Sequence, residues 1–240
     1  MSKLFVVGIG PGGPEQMSVQ AVEALKESEI IVGYSGYIEY VKPLIEGKEI
    51  FQTGMTGEIE RCKYAVSKVK EGKTVSIIST GDAGLYGMAG PILELAPDLN
   101  VEIVPGISAA FAAASRLGAP LMHDTALISL SDRLTDYEII KKRLELAAEG
   151  DFVIALYNPK SKTRTRYIEE AVNIILKFRS PKTPAGIAKN ACRNNEEVIV
   201  TELQKIDYEK IDMFTLIIIG NSNTYIQNGK MITPRGYEIK

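Results

Sequence analysis

The sequence predicts an α/β fold of two halves with mostly parallel sheets. Three observations carry this: short apolar runs alternate with segments of helical period, glycine-rich turns follow the runs, and Gly118-Ala119-Pro120 breaks an alternation that then restarts. In the first half, strands are expected at Leu4 to Val7, Ile30 to Val32, Glu49 to Phe51, Val75 to Ser79 and Val101 to Val104. Helices are expected between them, over about Ser18 to Ser28, Gly36 to Ile45, Glu58 to Lys70, Leu85 to Leu95 and Ser108 to Leu117. Ile59, Cys62, Val66 and Val69 share one face of the third helix, and Gly72 ends it. Pro120 at the break reads as a hinge or linker, giving α/β domains over residues 1–118 and 119–240.

In the second half, Ala126 to Leu130 reads as a strand. Thr135-Asp136-Tyr137-Glu138 has the form of a capping box opening a helix to about Ala148. Phe152 to Leu156, Ala185 to Ala188 and Val198 to Leu203 are further strands, and Arg164 to Phe178 a helix. Phe214 to Ile219 is continuously apolar, as a strand buried on both faces must be, and Met231-Ile232 adds an edge.

Composition narrows the function. With 240 residues, 45% hydrophobic and 24% charged, the chain has the profile of an ordinary soluble protein. A net charge of −2 argues against a nucleic-acid partner, which selects a strong basic excess. Cys62 and Cys192 are too few and too far apart for a disulfide framework or a metal site, and a reducing cytoplasm is the expected home. The opening apolar run is too short for a signal peptide, and no run is long enough to span a membrane.

Gly8, Gly10 and Gly13 satisfy the dinucleotide pattern G-x-G-x-x-G, but the chemistry around them is wrong for a pyrophosphate. Pro11 lacks the N–H that such a ligand needs, Glu15 places a negative charge beside it, and no acidic residue follows Ile30-Ile31-Val32 to hold a ribose. Gly72-Lys73-Thr74 imitates the end of a P-loop, yet Ser67 stands where the upstream glycine belongs and a strand follows it. Four turns fall after predicted strands, where open α/β sheets bind ligands: Gly8 to Pro14, Ser79 to Gly87, Val104 to Ala110 and Leu156 to Ser161.

The glycine-proline-glycine first loop, the Gly81-Asp82 loop ending in Tyr86-Gly87, and Val104-Pro105-Gly106-Ile107-Ser108-Ala109 before an alanine-rich helix resemble the tetrapyrrole (corrin and porphyrin) methylases over essentially the whole chain. Gly54-Met55-Thr56-Gly57-Glu58, Leu121-Met122-His123-Asp124, Leu130 to Thr135, Ala155 to Lys162 and Ile219-Gly220-Asn221-Ser222 resemble the subgroup that methylates C(17) of precorrin-3 in cobalamin synthesis. One departure is Gly81-Asp82-Ala83, where relatives commonly have proline third.

The resemblance implies two α/β domains with a ligand cleft between them, a homodimer, S-adenosylmethionine as cofactor, and a tetrapyrrole substrate methylated at C(17) with ring contraction. Carried over residue by residue, donor contacts come from Pro11, Asp82, Leu85, Ser108, Ala109, Leu156, Thr215 and Leu216. Asp82 accepts from a ribose hydroxyl or an ammonium, favours the sulfonium, or only caps the following helix. Candidates for the proton transfers of ring contraction are His123, Asp124, Asp132, Tyr157 and Lys160. His123, the single histidine, is a general acid or base or is structural, and Asp132 is alternatively half of a surface ion pair with Arg133. Arg116, Arg133, Lys162, Arg164 and Arg193 are candidate partners for the acid arms of the macrocycle. The rivals are methylation of another corrin carbon, a nicotinamide-dependent oxidoreductase, and a non-catalytic binding module.

Overall fold

A computed structural model describes residues 2–238. It divides into two compact units, Met1–Ala109 and Ala110–Lys240.

The first unit contains β1 (Leu4–Gly8), α1 (Val19–Glu27), β2 (Ile30–Tyr34), α2 (Ser35–Val41), β3 (Glu49–Thr53), α3 (Glu58–Lys70), β4 (Val75–Ser79), α4 (Ala89–Leu95) and β5 (Val101–Val104). Its strands form one parallel sheet in the order β3-β2-β4-β1-β5. Side chains alternate across a strand, so β1 feeds two cores: Leu4 and Val6 pack on one face, Phe5 and Val7 on the other. This order makes β4 and β5 the two neighbours of β1. The turns after all three strands therefore leave the same edge side by side.

The second unit holds most of α5 (Ala109–Leu117), then β6 (Gly118–Ala119), β7 (Thr125–Ser129), α6 (Tyr137–Glu149), β8 (Val153–Tyr157), α7 (Tyr167–Ile175), β9 (Pro184–Lys189), β10 (Glu197–Glu202), β11 (Thr215–Ile219), β12 (Tyr225–Gln227) and β13 (Lys230–Ile232). Its main sheet has the order β10-β9-β11-β8-β7, beside a small sheet β12-β13-β6. Six of the ten strand pairs in the described residues are parallel, but only β7–β8 is parallel in this second main sheet. No α-helix follows β9 or β10 to carry the chain back for parallel pairing, so β9 pairs antiparallel with both its neighbours.

Several local expectations shift. Gly118-Ala119, beside the hinge expected at Pro120, is a short strand paired with Met231-Ile232; the compact units part between Ala109 and Ala110, at the start of α5. On α3 the buried stripe is Arg61, Cys62, Ala65, Val66 and Val69, while Ile59 is exposed. Burial pushes the Cys62 thiol up to about 11, which leaves it an inert core residue. α6 is capped by Asp136, which accepts from the Glu138 N–H at 2.9 Å, so the cap sits one residue after Thr135. α4 begins at Ala89 and α7 at Tyr167, each later than periodicity suggested, because the preceding residues are held in turns. No helix of the described residues is long and apolar enough to cross a membrane.

Candidate active site

In the first unit, three turns lock together at the C-terminal edge of β4, β1 and β5. Gly10 and Gly81 exchange backbone hydrogen bonds, the Gly10 N–H to Gly81 O at 3.1 Å and the Gly81 N–H to Gly10 O at 2.8 Å. Gly10 lies at φ +71° and Gly81 at φ +68°, a region that favours glycine. A Cβ on Gly8 would sit 2.7 Å from the Gly106 nitrogen and 2.8 Å from the Gly81 oxygen, so the turns close only if glycine stands there.

Asp82 joins the second turn to the third. Its Oδ1 accepts from the N–H of Gly84 at 2.8 Å and of Leu85 at 3.1 Å, and its Oδ2 accepts from the N–H of Gly106 at 3.1 Å. The carboxylate therefore organises the cradle. It does not cap α4, which starts further on at Ala89. Ser108 is buried, while Leu85 and Ala109 are partly exposed at the same edge.

This edge does not make a pyrophosphate site. The first turn leads into a single 3-10 turn, Pro14–Gln16, and α1 starts only at Val19, with its N-terminus already capped by Ser18 Oγ accepting from the Ala21 N–H at 3.1 Å. Anion binding needs free helix N–H groups pointing from the loop. None of the three turns carries a lysine or arginine.

In the second unit, the C-terminal ends of β7 and β8, the C-terminal end of β9 and the N-terminal end of β11 share one edge. Leu156, Tyr157, Thr215 and Leu216 lie there, with Leu156, Thr215 and Leu216 buried. The Leu156–Ser161 turn thus belongs to this second sheet, separate from the three turns of the first. Tyr157 Oη accepts from the Ala110 N–H at 3.0 Å in the first turn of α5. Asn158, at φ +51°, donates from Nδ2 to Ser129 Oγ at 2.9 Å, and Lys160 Nζ donates to Tyr208 O at 3.1 Å.

Asp132 is built into this edge. It accepts from Tyr167 Oη at 2.8 Å and pairs with Arg164 Nε at 3.5 Å, so its ionic partner is Arg164 and not Arg133, the partner in the alternative reading. Arg164 also donates to Leu130 O at 2.7 Å. The Tyr167 ring stacks on Tyr137 at 3.9 Å, and the Tyr137 hydroxyl donates to Glu170 at 2.9 Å. Arg164 is thus a framework group of this edge. Lys160, Lys162 and Arg164 precede α7 and do not sit on its first turn, so the helix dipole does not disfavour them. Lys162 and Arg133 are exposed. Arg116 is engaged by Glu196 at 3.0 Å, and Arg193 lies in the β9–β10 connection.

His123 stands apart. It precedes the N-terminal end of β7, while Asp132, Tyr157 and Lys160 follow the C-terminal ends of β7 and β8. A five-residue strand separates those edges by about 13 Å. The His123 side chain is 46% exposed, and its Nδ1 accepts from the Asp124 N–H at 3.0 Å. Asp124 is likewise exposed, at the same end of the strand. His123→Ala is therefore expected to leave both methylation and ring contraction within about threefold of wild type, since surface changes cost little. A contracted product lost while methylation persists, seen by mass and absorption, would return His123 to the proton-transfer set.

Sequence reasoning overlooked Arg61, which is 4% exposed. The signal was present: Arg61, Ala65 and Val69 recur at helical spacing on the stripe that buries Cys62 and Val66.

A family model described as Tetrapyrrole (Corrin/Porphyrin) Methylases matches residues 3–207. The chain is 49% identical, over 99% of its length, to the cobalt-factor III methyltransferase of Priestia megaterium, of which it spans 46%. It is 48% identical to the probable cobalt-factor III C(17)-methyltransferase of Salmonella typhimurium, over 98% of this chain and 100% of that one. Among solved structures, the methyltransferase CobJ superposes with a TM-score of 0.92 at 34% identity, covering 98% of this chain and 100% of CobJ. A uroporphyrin-III C-methyl transferase from Thermus thermophilus, complexed with S-adenyl homocysteine, shares the fold at a TM-score of 0.72 and 23% identity, covering 91% of this chain and 97% of that one. On the family match and the likeness to the Salmonella relative and CobJ over their full length, the chain belongs to the tetrapyrrole methylases.

Proposed function

We propose that the protein is an S-adenosylmethionine-dependent methyltransferase that methylates C(17) of a precorrin-3-level corrinoid, with ring contraction, in cobalamin biosynthesis. The observation that carries this reading is the cradle of three turns without a basic side chain, in a chain alike from end to end to a relative named as a probable cobalt-factor III C(17)-methyltransferase. Those names also favour the cobalt-bearing form of the substrate.

S-adenosylmethionine, when bound, supplies an electrophilic methyl on sulfur. Transfer to carbon needs the acceptor about 3 to 3.5 Å from that methyl and in line with the sulfur, so the chain contributes chiefly orientation. For the donor, Pro11 offers a surface without an N–H, and Asp82 holds the turns that carry Leu85, Ser108 and Ala109. The resemblance assigns Leu156, Thr215 and Leu216 to the donor as well. Asp132, Tyr157 and Lys160 share an edge of the second sheet and are the groups we assign to proton transfer during ring contraction. We also propose a homodimer and a cytoplasmic location, on the family resemblance and the cysteine content.

The test is incubation with methyl-labelled donor and either the cobalt-bearing or the cobalt-free substrate, followed by mass analysis. One added methyl on the cobalt-bearing substrate, with the absorption of a contracted ring, is expected. Label on a different carbon would shift the reading to another corrin methylase, and no transfer to any tetrapyrrole would reject it. NAD should not bind in calorimetry.

A further inference from the structure

Arg61 is buried in the first unit without a counter-ion. Its Nη1 donates to Thr53 Oγ1 at 2.6 Å and to Gly54 O at 3.0 Å, which ties α3 to the turn after β3. Its Nε has no hydrogen-bond partner, and neither Nε nor Nη2 meets a carboxylate among the described residues. Arg179, 7% exposed, likewise has an Nε without a partner, but it has the counter-ion that Arg61 lacks: Asp151 pairs with it and Phe152 O accepts from Nη2 at 2.8 Å. A buried cation left unanswered is costly, and proteins retain one where a ligand supplies the missing charge.

Beside Arg61 there is such a place. A partly open cavity of about 120 Å³ is lined by Arg61, Tyr37, Thr80, Tyr86 and Glu58, among others. That volume holds several water-sized groups, enough for a carboxylate and the methylenes behind it, and too little for a macrocycle. Tyr86 forms part of its wall in a left-handed conformation, φ +56°, which is unusual for a bulky side chain and marks a turn held for a purpose. Glu58 also lines the cavity but makes no ion pair with Arg61.

We propose that this cavity binds a carboxylate, met by the guanidinium of Arg61 while its Nη1 holds the protein. The carboxylate belongs either to the amino-acid tail of the methyl donor or to an acid arm of the tetrapyrrole; only this choice of source rests on the methyltransferase reading.

The first measurement needs no catalysis. Nitrogen-15 arginine spectra of the wild-type protein are titrated with sodium propionate and, separately, with propionamide at constant ionic strength, the Arg61 Nε signal being identified by its loss in Arg61→Lys. A saturable shift with propionate alone is expected. No saturable shift, or an equal one with propionamide, overturns the site and means that the chain answers the charge itself, through Glu58. Calorimetry on folded Arg61→Lys and Arg61→Met then separates the sources. A loss of tenfold or more for S-adenosylhomocysteine identifies the donor tail, and the same loss for the cobalt corrinoid identifies an acid arm. Unchanged affinity for both overturns the proposal. Propionate binding by a protein that methylates no tetrapyrrole supports the site while rejecting the methyltransferase reading.

Discussion

Gly106→Ala is expected to weaken S-adenosylhomocysteine binding by more than tenfold and to cost about 3 kcal/mol of stability. A Cβ at Gly106 would lie 2.6 Å from the Gly8 oxygen, 2.7 Å from the Gly8 carbonyl carbon, and closer still to the Gly81 oxygen. All three are backbone atoms, two at the end of β1 and one in the turn after β4. No side chain can rotate away; the turn after β5 must move, and the Gly106 hydrogen bond to Asp82 moves with it. The control is Gly90→Ala. Gly90 lies in α4, a Cβ there meets nothing within 4 Å, and helix propensity favours the change by up to about 1 kcal/mol. Calorimetry and denaturant midpoints on both variants check the argument. Wild-type behaviour in Gly106→Ala would show that the three turns are not the packed unit described here.

Asp82→Asn should weaken the donor complex and the fold by about 1 to 3 kcal/mol, although asparagine replaces aspartate well in a plain turn or cap. The amide oxygen can still accept from Gly84 and Leu85, but the amide nitrogen then faces the Gly106 N–H, donor against donor. The bond between the second and third turns is lost and a backbone donor is left unpaired. A substitution that leaves S-adenosylhomocysteine affinity and stability unchanged would confine Asp82 to the local turn. Asp82→Ala, which removes all three acceptor contacts, should be worse in both measurements. An equal effect of the two variants would place the whole contribution in the Gly106 contact.

Much of the first unit was readable from residue order. Short apolar runs ending in glycine specify strands that stop abruptly, and Leu4 to Val7, Val75 to Ser79 and Val101 to Val104 became neighbouring strands with their turns at one edge. The argument against a pyrophosphate also survived, and α1 starting after Ser18 strengthens it. Helix starts were less readable, because periodicity does not reveal when a turn holds the chain back. The residues before α4 and α7 show this, and so does the shift of the α6 cap from Thr135 to Asp136.

The sequence by itself determined the α/β class, the three glycine-rich turns at the ends of first-unit strands and the family, because strand period, glycine placement and motif order are local properties of the chain. Only the tertiary structure decided the mixed pairing of the second sheet, the separation of His123 from Tyr157 and Asp132, the engagement of Asp82 by Gly106, and the burial of Arg61. Those are meetings between residues distant in sequence. Which strand lies beside which, and which charge is left without a partner, follow from the three-dimensional packing of whole elements, to which no single segment holds the answer.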